Sequence, residues 1–220
     1  MKVEIANNEY LRKIPIKECD ENFIDIKDVI PNIKIQIADY ITDKKEQQLA
    51  KYVRGTVAHM LKSAIDELPD GYTLLLRCGY RSPKTQQKRY EEIENNIRAD
   101  HPGFNEKQIQ RKLDERIAPV DLAPHCTGGA IDIFPVTNNG RLVDIECSPG
   151  EFTERTYTYS DKISERARQK RKIFIDALTK SGFSNFPAEI WHWSYGESDW
   201  VAYSKKKYAI YGPKEFDLKD

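Results

Sequence analysis

The stretch "HCTGGAIDIFPVTNNGRLVDIEC", residues 125–147, decides which fold class the sequence predicts. Two strand-like apolar runs, "AIDIFPV" and "RLVDIEC", are joined by "TNNG". An Asn-Gly pair between two such runs is a strong signal for a β-hairpin, because both residues tolerate the backbone of a tight turn. We therefore expect a pair of antiparallel strands here.

Further strands are predicted upstream of this segment. The run "YTLLLRC", Tyr72–Cys78, is apolar enough for a buried strand and leads into a turn at Gly79. Ser82 followed by Pro83 then predicts the start of a helix, because the serine hydroxyl caps free amides and proline suits the first turn. Before residue 40, short apolar alternations predict one or two strands interrupted by Pro31.

Helices are predicted between these strands. Apolar residues recur at helical spacing over roughly residues 44–68, and Asn105 can cap a helix through about Ile117. Another helix fits "DKISERARQKRKIFIDALTKSG", with Gly182 as its C-terminal cap and "RARQKRK" on its solvent-facing side. Strand-like runs at "EIWHWSY" and "KYAIYG" end the chain.

Adjacent strands alternating with helices indicate an α+β protein with a small, mainly antiparallel sheet and flanking helices. No internal repeat or low-complexity linker interrupts the pattern. We therefore expect a single domain over residues 1–220.

Composition limits the classes of partner. Lysine plus arginine and aspartate plus glutamate both number 35, so no net field would attract nucleic acid or an anionic membrane. The N-terminus is charged and lacks the apolar run of a signal peptide, which predicts a cytoplasmic protein. Cys19, Cys78, Cys126 and Cys147 show no CxxC spacing, so we expect reduced thiols. Composition leaves the oligomeric state open.

The first candidate for chemistry is the segment "HCTGGAID". His125 precedes a Thr-Gly-Gly turn, and Asp132 lies within a strand of apolar neighbours. A glycine turn can fold the chain so that the imidazole and the carboxylate point at one spot. The structural alternative places Asp132 on the exposed face of an alternating strand.

The second candidate is "EIWHWSY", which carries two polar groups among apolar ones. In a regular strand Glu189 and His192 would point to opposite faces, and a bulge or a strand end would bring them together. The alternative is a buried histidine with a structural partner. Combined, the two segments supply His125, Asp132 and His192 as ligands for one metal, with Glu189 left over.

That set is the inventory of a catalytic zinc site, which has three protein ligands, an open position for water and a nearby carboxylate base. An iron site of two histidines and a carboxylate usually has a shorter spacing than the seven positions between His125 and Asp132, so iron is disfavoured. Arg81 follows a strand at a turn, where a fixed guanidinium could stabilise an oxyanion. Its structural alternative is a surface salt bridge.

The motifs "GYRS" with Arg81, "HCTGGAID" with His125 and Asp132, and "EIWH" with Glu189 and His192 occur in this order. This pattern resembles the zinc D-alanyl-D-alanine dipeptidases of the vancomycin-resistance type, within the wider group of zinc D,D-peptidases. The resemblance implies zinc held by the two histidines and the aspartate, the glutamate as general base and the arginine as transition-state stabiliser.

The resemblance covers about residues 36–200, so the first 35 residues have no assigned role. It implies the zinc D,D-peptidase fold, which the hedgehog signalling domain shares, and a small D-amino-acid peptide as substrate. Three positions depart from the dipeptidase pattern: Cys78 and Gly150 stand where aspartates are expected, and Ala123 replaces a serine.

The missing aspartate near Gly150 matters because it helps to hold the free ammonium of the dipeptide, and a buried ammonium needs an anionic or carbonyl partner. Three carboxylates in the following loop are candidate substitutes: Asp144, Glu146 and Glu151. Without a substitute, the alternative is a D,D-carboxypeptidase acting on peptidoglycan stem peptides or another short peptide. A zinc-bearing binding module without catalysis is a further alternative.

Overall fold

The structure is a computed structural model that describes residues 4–218. Its strands are β1 (Phe23–Asp25), β2 (Lys34–Ile35), β3 (Tyr52–Arg54), β4 (Tyr72–Cys78), β5 (Ala130–Thr137), β6 (Ser184–Asn185) and β7 (His192–Ser194). Its α-helices are α1 (Asn8–Leu11), α2 (Lys44–Leu49), α3 (Gly55–Asp66), α4 (Pro83–Asp100), α5 (Glu106–Asp114), α6 (Glu165–Lys180) and α7 (Ser198–Ser204). The α+β class is confirmed.

The main sheet has five strands in the order β2-β4-β5-β7-β6. The pairs β4–β5, β5–β7 and β6–β7 are antiparallel, and β2 is parallel to β4. A separate antiparallel pair joins β1 and β3. The prediction of a mainly antiparallel sheet is therefore confirmed, with one parallel pair at its edge.

The alternation of side chains along β5 separates the core from the site. Ile131 and Ile133 are buried in one apolar cluster with residues of α3 and α6, such as Leu61 and Phe174. Because side chains alternate across a strand, Asp132 points to the opposite face of β5. The core helices thus fix the sheet, and the other sheet face is left for polar groups.

The long helix predicted over residues 44–68 is wrong, because α2 and α3 are separated by β3. The amides of Gly79 and Tyr80 donate to the carbonyls of Ala50 and Tyr52, both at 2.7 Å, so these carbonyls cannot serve a helix. A Cβ on Gly79 would lie 2.5 Å from the Tyr52 oxygen, so this close approach requires glycine. The turn of the "GYRS" motif is thereby held against β3.

The second strand predicted over "RLVDIEC" does not form. Its pairing with β5 consists of a Val136–Leu142 bridge, a 2.8 Å bond from the Thr137 amide to the Arg141 carbonyl and a 2.9 Å bond from the Val143 amide to the Pro135 carbonyl. Further along the same segment, Nε of Arg171 donates to the Ile145 carbonyl at 3.0 Å.

The run "RARQKRK" was expected to face solvent, but the side chain of Arg171 within it is buried in α6. It donates to carbonyl oxygens of Tyr157 and Arg155, both at 2.8 Å. The run "KYAIYG" likewise forms no strand, and its Ala209 makes an isolated bridge with Ile16. Apolar residues of these segments, such as Val143, Ile145 and Tyr211, are buried in the main apolar cluster without forming strands.

Several predicted boundaries are confirmed. β4 spans Tyr72–Cys78, Ser82 caps α4 at the Thr85 amide, and Asn105 caps α5 through a capping box. In the described part of the chain, every helix is too short or too polar to cross a lipid bilayer.

Candidate metal centre

Strand pairing brings two of the expected ligands together. Asp132 of β5 and His192 of β7 lie directly opposite each other in the ladder, although 60 positions separate them in sequence. His125 comes from a short 3-10 turn, Pro124–Thr127, which ends at Gly128 with a φ of 71°. The glycine allows this left-handed conformation, so the chain can turn directly into β5.

The three side chains converge on one carboxylate oxygen. Oδ1 of Asp132 is 3.2 Å from Nε2 of His125 and 3.0 Å from Nδ1 of His192. The two imidazole rings are 4.9 Å apart between centroids and nearly perpendicular. All three residues are buried.

The orientation of His125 is fixed by the backbone. Its Nδ1 lies 2.7 Å from the carbonyl oxygen of Gly79, and a carbonyl can only accept, so Nδ1 carries the hydrogen. In the neutral ring Nε2 therefore carries the lone pair with which it would bind a metal, and in the protonated ring Nε2 donates a hydrogen bond to Asp132. This is the arrangement expected of a metal-ligating histidine whose other nitrogen is held by a carbonyl.

The electrostatics of the three groups favour a cation. Burial alone would raise the pKa of Asp132, but His125 and the hydrogen bonds from both imidazoles hold it well below its usual range. Burial acts to lower the pKa of His125, and the Asp132 carboxylate outweighs it and raises that pKa to about 10. For His192 burial dominates and lowers the pKa. An ionised carboxylate between two imidazoles attracts positive charge, supplied by a proton or by a metal ion.

Glu189 approaches the same centre because β7 begins only at His192. The chain turns at residues 186–189, where the Glu189 amide donates to the Phe186 carbonyl at 3.0 Å and the His192 amide donates to the Glu189 carbonyl at 3.1 Å. Ligand atoms of Asp132, Glu189 and His192 all lie within 4.8 Å of one another. Burial, followed by the charge of Asp132, raises the pKa of Glu189 to about 8. Because the strand begins only at His192, Glu189 and His192 of the "EIWH" segment can face the same centre.

Arg81 is buried beside the ligands, and not in a surface salt bridge. Its Nη1 donates to Oε1 of Gln86 at 2.8 Å, its Nη2 donates to the Tyr40 hydroxyl, and Nη2 is 3.8 Å from Oδ2 of Asp132. Burial acts to lower its pKa, but Tyr40, Cys78 and Asp132 keep the pKa above its usual value. The guanidinium is therefore a fixed positive charge at the edge of the centre.

Two residues at this edge, Tyr40 and Gln86, were not predicted from the sequence to belong to a functional site. Tyr40 stacks on Arg81 with 5.1 Å between the guanidinium and the ring centroid, and Gln86 is buried within the otherwise charged helix α4. Both are polar residues in unremarkable sequence surroundings. They are recognised only from their contacts with Arg81.

Cys78, a departure from the family pattern, also faces the centre. The Cys78 sulfur, one ring nitrogen of His125 and one carboxylate oxygen of Asp132 all lie within 4.8 Å of one another. Burial raises the pKa of the Cys78 thiol, while His125 and Arg81 outweigh burial and lower it. Its position in β4, opposite Asp132 in the ladder, explains this placement.

A cavity of about 290 Å³ opens onto these groups. Its wall includes the ligands together with Arg81 and Glu189, and aromatic rings at Tyr40, Phe152, Phe186 and Trp191. Small-molecule sites are concave and largely apolar with a few polar groups, usually about 300–1,000 Å³ in volume. The cavity is therefore suited to a small ligand.

The three loop carboxylates expected to hold a substrate ammonium are absent from the cavity wall as the structure describes it. Glu146 binds the Ser164 hydroxyl and amide, and Glu151 binds Arg155 at 2.8 Å. Asp144 accepts from the Glu146 amide at 3.2 Å. The geometry thus gives no support to Asp144, Glu146 or Glu151 as substrate ligands, whereas Gly150 does line the cavity.

The donor set fits a zinc ion by its chemistry. Two imidazole nitrogens and one carboxylate, buried and gathered on one side, match the three-ligand sites that leave a fourth position open. His125, Asp132 and His192 are the residues that would hold it. A metal ion bound there would take the place of the protons that otherwise link Asp132 to the imidazoles.

Comparison with known proteins identifies relatives along most of the chain. Residues 20–210 match the family model Peptidase_M15, described as D-ala-D-ala dipeptidase. A "D-alanyl-D-alanine dipeptidase" of Synechocystis sp. (strain PCC 6803) is 26% identical, covering 92% of this chain and 95% of the relative. A protein of the same name from Escherichia coli (strain K12) is 22% identical, covering 77% of this chain and 82% of the relative.

Two solved structures are also similar. The LdcB LD-carboxypeptidase has a TM-score of 0.43 at 18% identity, covering 88% of this chain and 77% of that one. VanYB in complex with D-alanine-D-alanine has a TM-score of 0.42 at 15% identity, covering 71% of this chain and 80% of that one.

Proposed function

The chain belongs to the Peptidase_M15 family of D-Ala-D-Ala dipeptidases and is a metallopeptidase, and we propose that it hydrolyses the dipeptide D-alanyl-D-alanine with one bound zinc ion. The family membership predicted from the motifs is confirmed. The observation that carries the proposal is the convergence of His125 and His192 on one oxygen of Asp132, with Glu189 within reach.

In this proposal the residues of the chain divide the work. Zinc, when bound, supplies a Lewis acid that acidifies water and polarises the scissile carbonyl. Glu189 takes the proton from the attacking water at its carboxylate and passes it to the leaving amine. Burial and the charge of Asp132 raise the pKa of Glu189, so its carboxylate holds a proton more tightly than an exposed glutamate does. Arg81 stabilises the negative charge that develops on the carbonyl oxygen.

The aromatic wall contributes by excluding water. Trp191, Phe186 and Phe152 line the cavity beside the polar groups. Electrostatic interactions in such a setting are stronger than in water, so one guanidinium and one carboxylate have a large effect on a developing charge.

A D,D-carboxypeptidase is the second candidate, favoured by one observation. Gly150 lines the cavity at the position where an aspartate was expected, and the alternative loop carboxylates lie elsewhere. A longer peptide with a blocked amine needs no counter-charge there. A binding module without catalysis is disfavoured by the placement of both Glu189 and Arg81 at the centre.

The test measures free alanine after incubating the purified protein with D-Ala-D-Ala, L-Ala-L-Ala and N-acetyl-D-Ala-D-Ala. Each reaction is run with zinc and again after chelation. The proposal expects zinc-dependent release from D-Ala-D-Ala and none from the L-peptide. Release from the acetylated peptide alone would replace the dipeptidase with the carboxypeptidase, and no release with zinc bound would favour a binding module.

Two expectations from sequence stay predictions. These are the cytoplasmic location and the single domain over residues 1–220. Cell fractionation with an antibody to the chain tests the first, and a single cooperative calorimetric transition is expected for the second.

A further inference from the structure

Residues 212–218, the C-terminal tail, form no helix or strand and lie beyond the residues 20–210 that match the family model. The tail is nevertheless bonded to the turn that carries His125. The amide of Lys214 donates to the carbonyl of Cys126 at 3.0 Å. Because Cys126 directly follows His125 in the chain, this bond holds the backbone beside a proposed metal ligand.

Tyr80 links the same tail to the turn that carries Arg81. Its hydroxyl donates to the Lys214 carbonyl at 2.9 Å and accepts from the Phe216 amide at 3.0 Å. A phenol can donate one hydrogen and accept another, so both bonds can exist together. Tyr80 is fully buried and directly precedes Arg81. A phenylalanine of the same shape would leave both backbone groups of the tail without this partner.

The two turns are also bonded directly to each other. Nδ1 of His125 donates to the Gly79 carbonyl at 2.7 Å, and the Arg81 amide donates to the His125 carbonyl at 3.2 Å. The bonds of the tail to Tyr80 and Cys126 close this set into a ring. The tail therefore completes a network of hydrogen bonds that includes the backbone of both site residues.

Aromatic packing holds the tail against the same ligand turn. The ring of Phe216 stacks on Phe23 with 4.5 Å between the centroids and lies 5.6 Å from the ring of Tyr80. Phe23 lies directly against Gly128, where a Cβ would be only 2.3 Å from a ring carbon of Phe23. Since Gly128 ends the turn that carries His125, side-chain packing and backbone bonds of the tail reach the same place.

We propose that the C-terminal tail is a positioning element that acts through Tyr80 and Cys126 to fix His125 relative to Arg81. This inference rests on the proposed function, which assigns His125 to the metal and Arg81 to the developing oxyanion. Metal–ligand distances are defined to within about 0.2 Å. A small displacement of one ligand therefore weakens metal binding under conditions in which the fold still persists.

The test measures zinc affinity by chelator competition for the full-length protein, and the absorption spectrum of the cobalt-substituted protein, which reports the ligand geometry. Tyr80→Phe is expected to weaken zinc binding by about 10-fold, the lower end of the usual range for groups that hold ligands. It should also change the cobalt spectrum. With D-Ala-D-Ala, kcat should fall while KM changes little, because the described cavity wall contains no residue of the tail.

Tyr203→Phe is the matched control. The Tyr203 hydroxyl accepts from the Ala6 amide at 3.1 Å, so this variant loses a bond to the backbone of the other terminal segment. It should lower the melting temperature without changing the zinc affinity or the cobalt spectrum. Phe216→Ala is a second test variant, at a half-buried position of the tail, and should reproduce the effects of Tyr80→Phe. The combined variant should lose less affinity than the product of the two single losses, because both changes break one link.

Wild-type zinc affinity and an unchanged cobalt spectrum in both Tyr80→Phe and Phe216→Ala would overturn the proposal, even if their melting temperatures fell. A combined loss equal to the product of the single losses would also overturn it. If the wild-type protein bound neither zinc nor cobalt, the metal assignment would fail and the positioning role with it. If the wild type bound metal without cleaving any peptide, only the proposed function would fail, and affinity and spectrum would still decide the role of the tail.

Discussion

Replacing Arg81 with lysine keeps a positive charge but removes the fork that fixes it. The guanidinium uses Nη1 for Gln86 and Nη2 for Tyr40, and its carbon lies 5.1 Å from the centroid of the Tyr40 ring. A lysine ammonium is a single point on a flexible stem, so it cannot meet both partners at once. Gln86 is only 2% exposed, and leaving its oxygen without a donor costs about 1–3 kcal/mol of folding free energy.

The effect on catalysis should be larger than the effect on stability. Loss of one preorganised oxyanion donor usually lowers kcat about 10²–10³-fold, equivalent to roughly 2.7–4 kcal/mol. We expect Arg81→Lys to show that loss in steady-state kinetics while retaining zinc, with a melting temperature lowered by a few degrees.

Arg171→Lys is the matched control, because Arg171 is also buried but binds backbone carbonyls and does not line the described cavity wall. Its kcat should stay close to that of the wild type. If Arg81→Lys retained the wild-type kcat with zinc bound, Arg81 would be a structural ion-pair partner of Asp132, and its role as stabiliser would be wrong.

Four further outcomes follow from the structure. Glu189→Gln should lower kcat by about 10²–10⁴-fold and keep zinc, whereas His192→Ala should lose zinc, as metal analysis of both variants would show. Chelation of zinc should lower the melting temperature. Adding zinc at a hundred times its Kd should then raise the free energy of unfolding by about 2.7 kcal/mol. Burial, and then the charge of Glu197, raise the pKa of Asp199 in the folded protein. Asp199 therefore contributes stability to the fold below its unfolded-state pKa, and this stability is lost as the pH rises through its folded-state pKa. Asp199→Asn should therefore raise the melting temperature more at pH 8 than at pH 5, and an equal gain at both would contradict this. Gly79→Ala places a Cβ 2.5 Å from a backbone oxygen and should destabilise the fold by about 1–3 kcal/mol, measured by urea unfolding.

The ligands could be predicted from sequence because each lies in a short segment with its own signal. His125 and Asp132 flank a glycine turn, and His192 follows a glutamate in an apolar run. The pairing that places Asp132 opposite His192 spans 60 positions and leaves no local trace. The ligand inventory that the segments supply together, and the resemblance to the zinc D,D-peptidases, indicated that they meet.

The groups that hold the ligands could not be predicted in the same way. Tyr40 and Gln86 hold Arg81 beside the ligands, yet neither has unusual neighbours in sequence. A hydroxyl or an amide is equally common on exposed surfaces. Their contacts arise from long-range packing, which periodicity does not report.

The errors in the fold prediction have the same origin. The apolar spacing that suggested one helix over residues 44–68 continues through Val53, which is buried in β3 and not in a helix. The competing interaction is the pairing of β3 with β1 and the bonds from Gly79 and Tyr80. Tertiary backbone bonds overrode a local preference that is worth only a few tenths of a kcal/mol per residue.

The charge of the substrate amine is the property that decides between dipeptide and longer peptide. Five carboxylates line the described cavity wall, and Asp132 and Glu189 are already assigned to metal and proton transfer. Asp39 pairs with Arg77, and Asp114 accepts from Asn8 and Gln110.

Asp199 remains, but burial and then the charge of Glu197 raise its pKa and disfavour the ionised form that an ammonium would need. In a dipeptide the ammonium nitrogen is only two bonds from the scissile carbonyl carbon, so its partner must lie next to the metal centre. Carbonyl oxygens or Glu189 itself would have to serve there, and the ratio of kcat/KM for free and acetylated D-Ala-D-Ala measures how well they do.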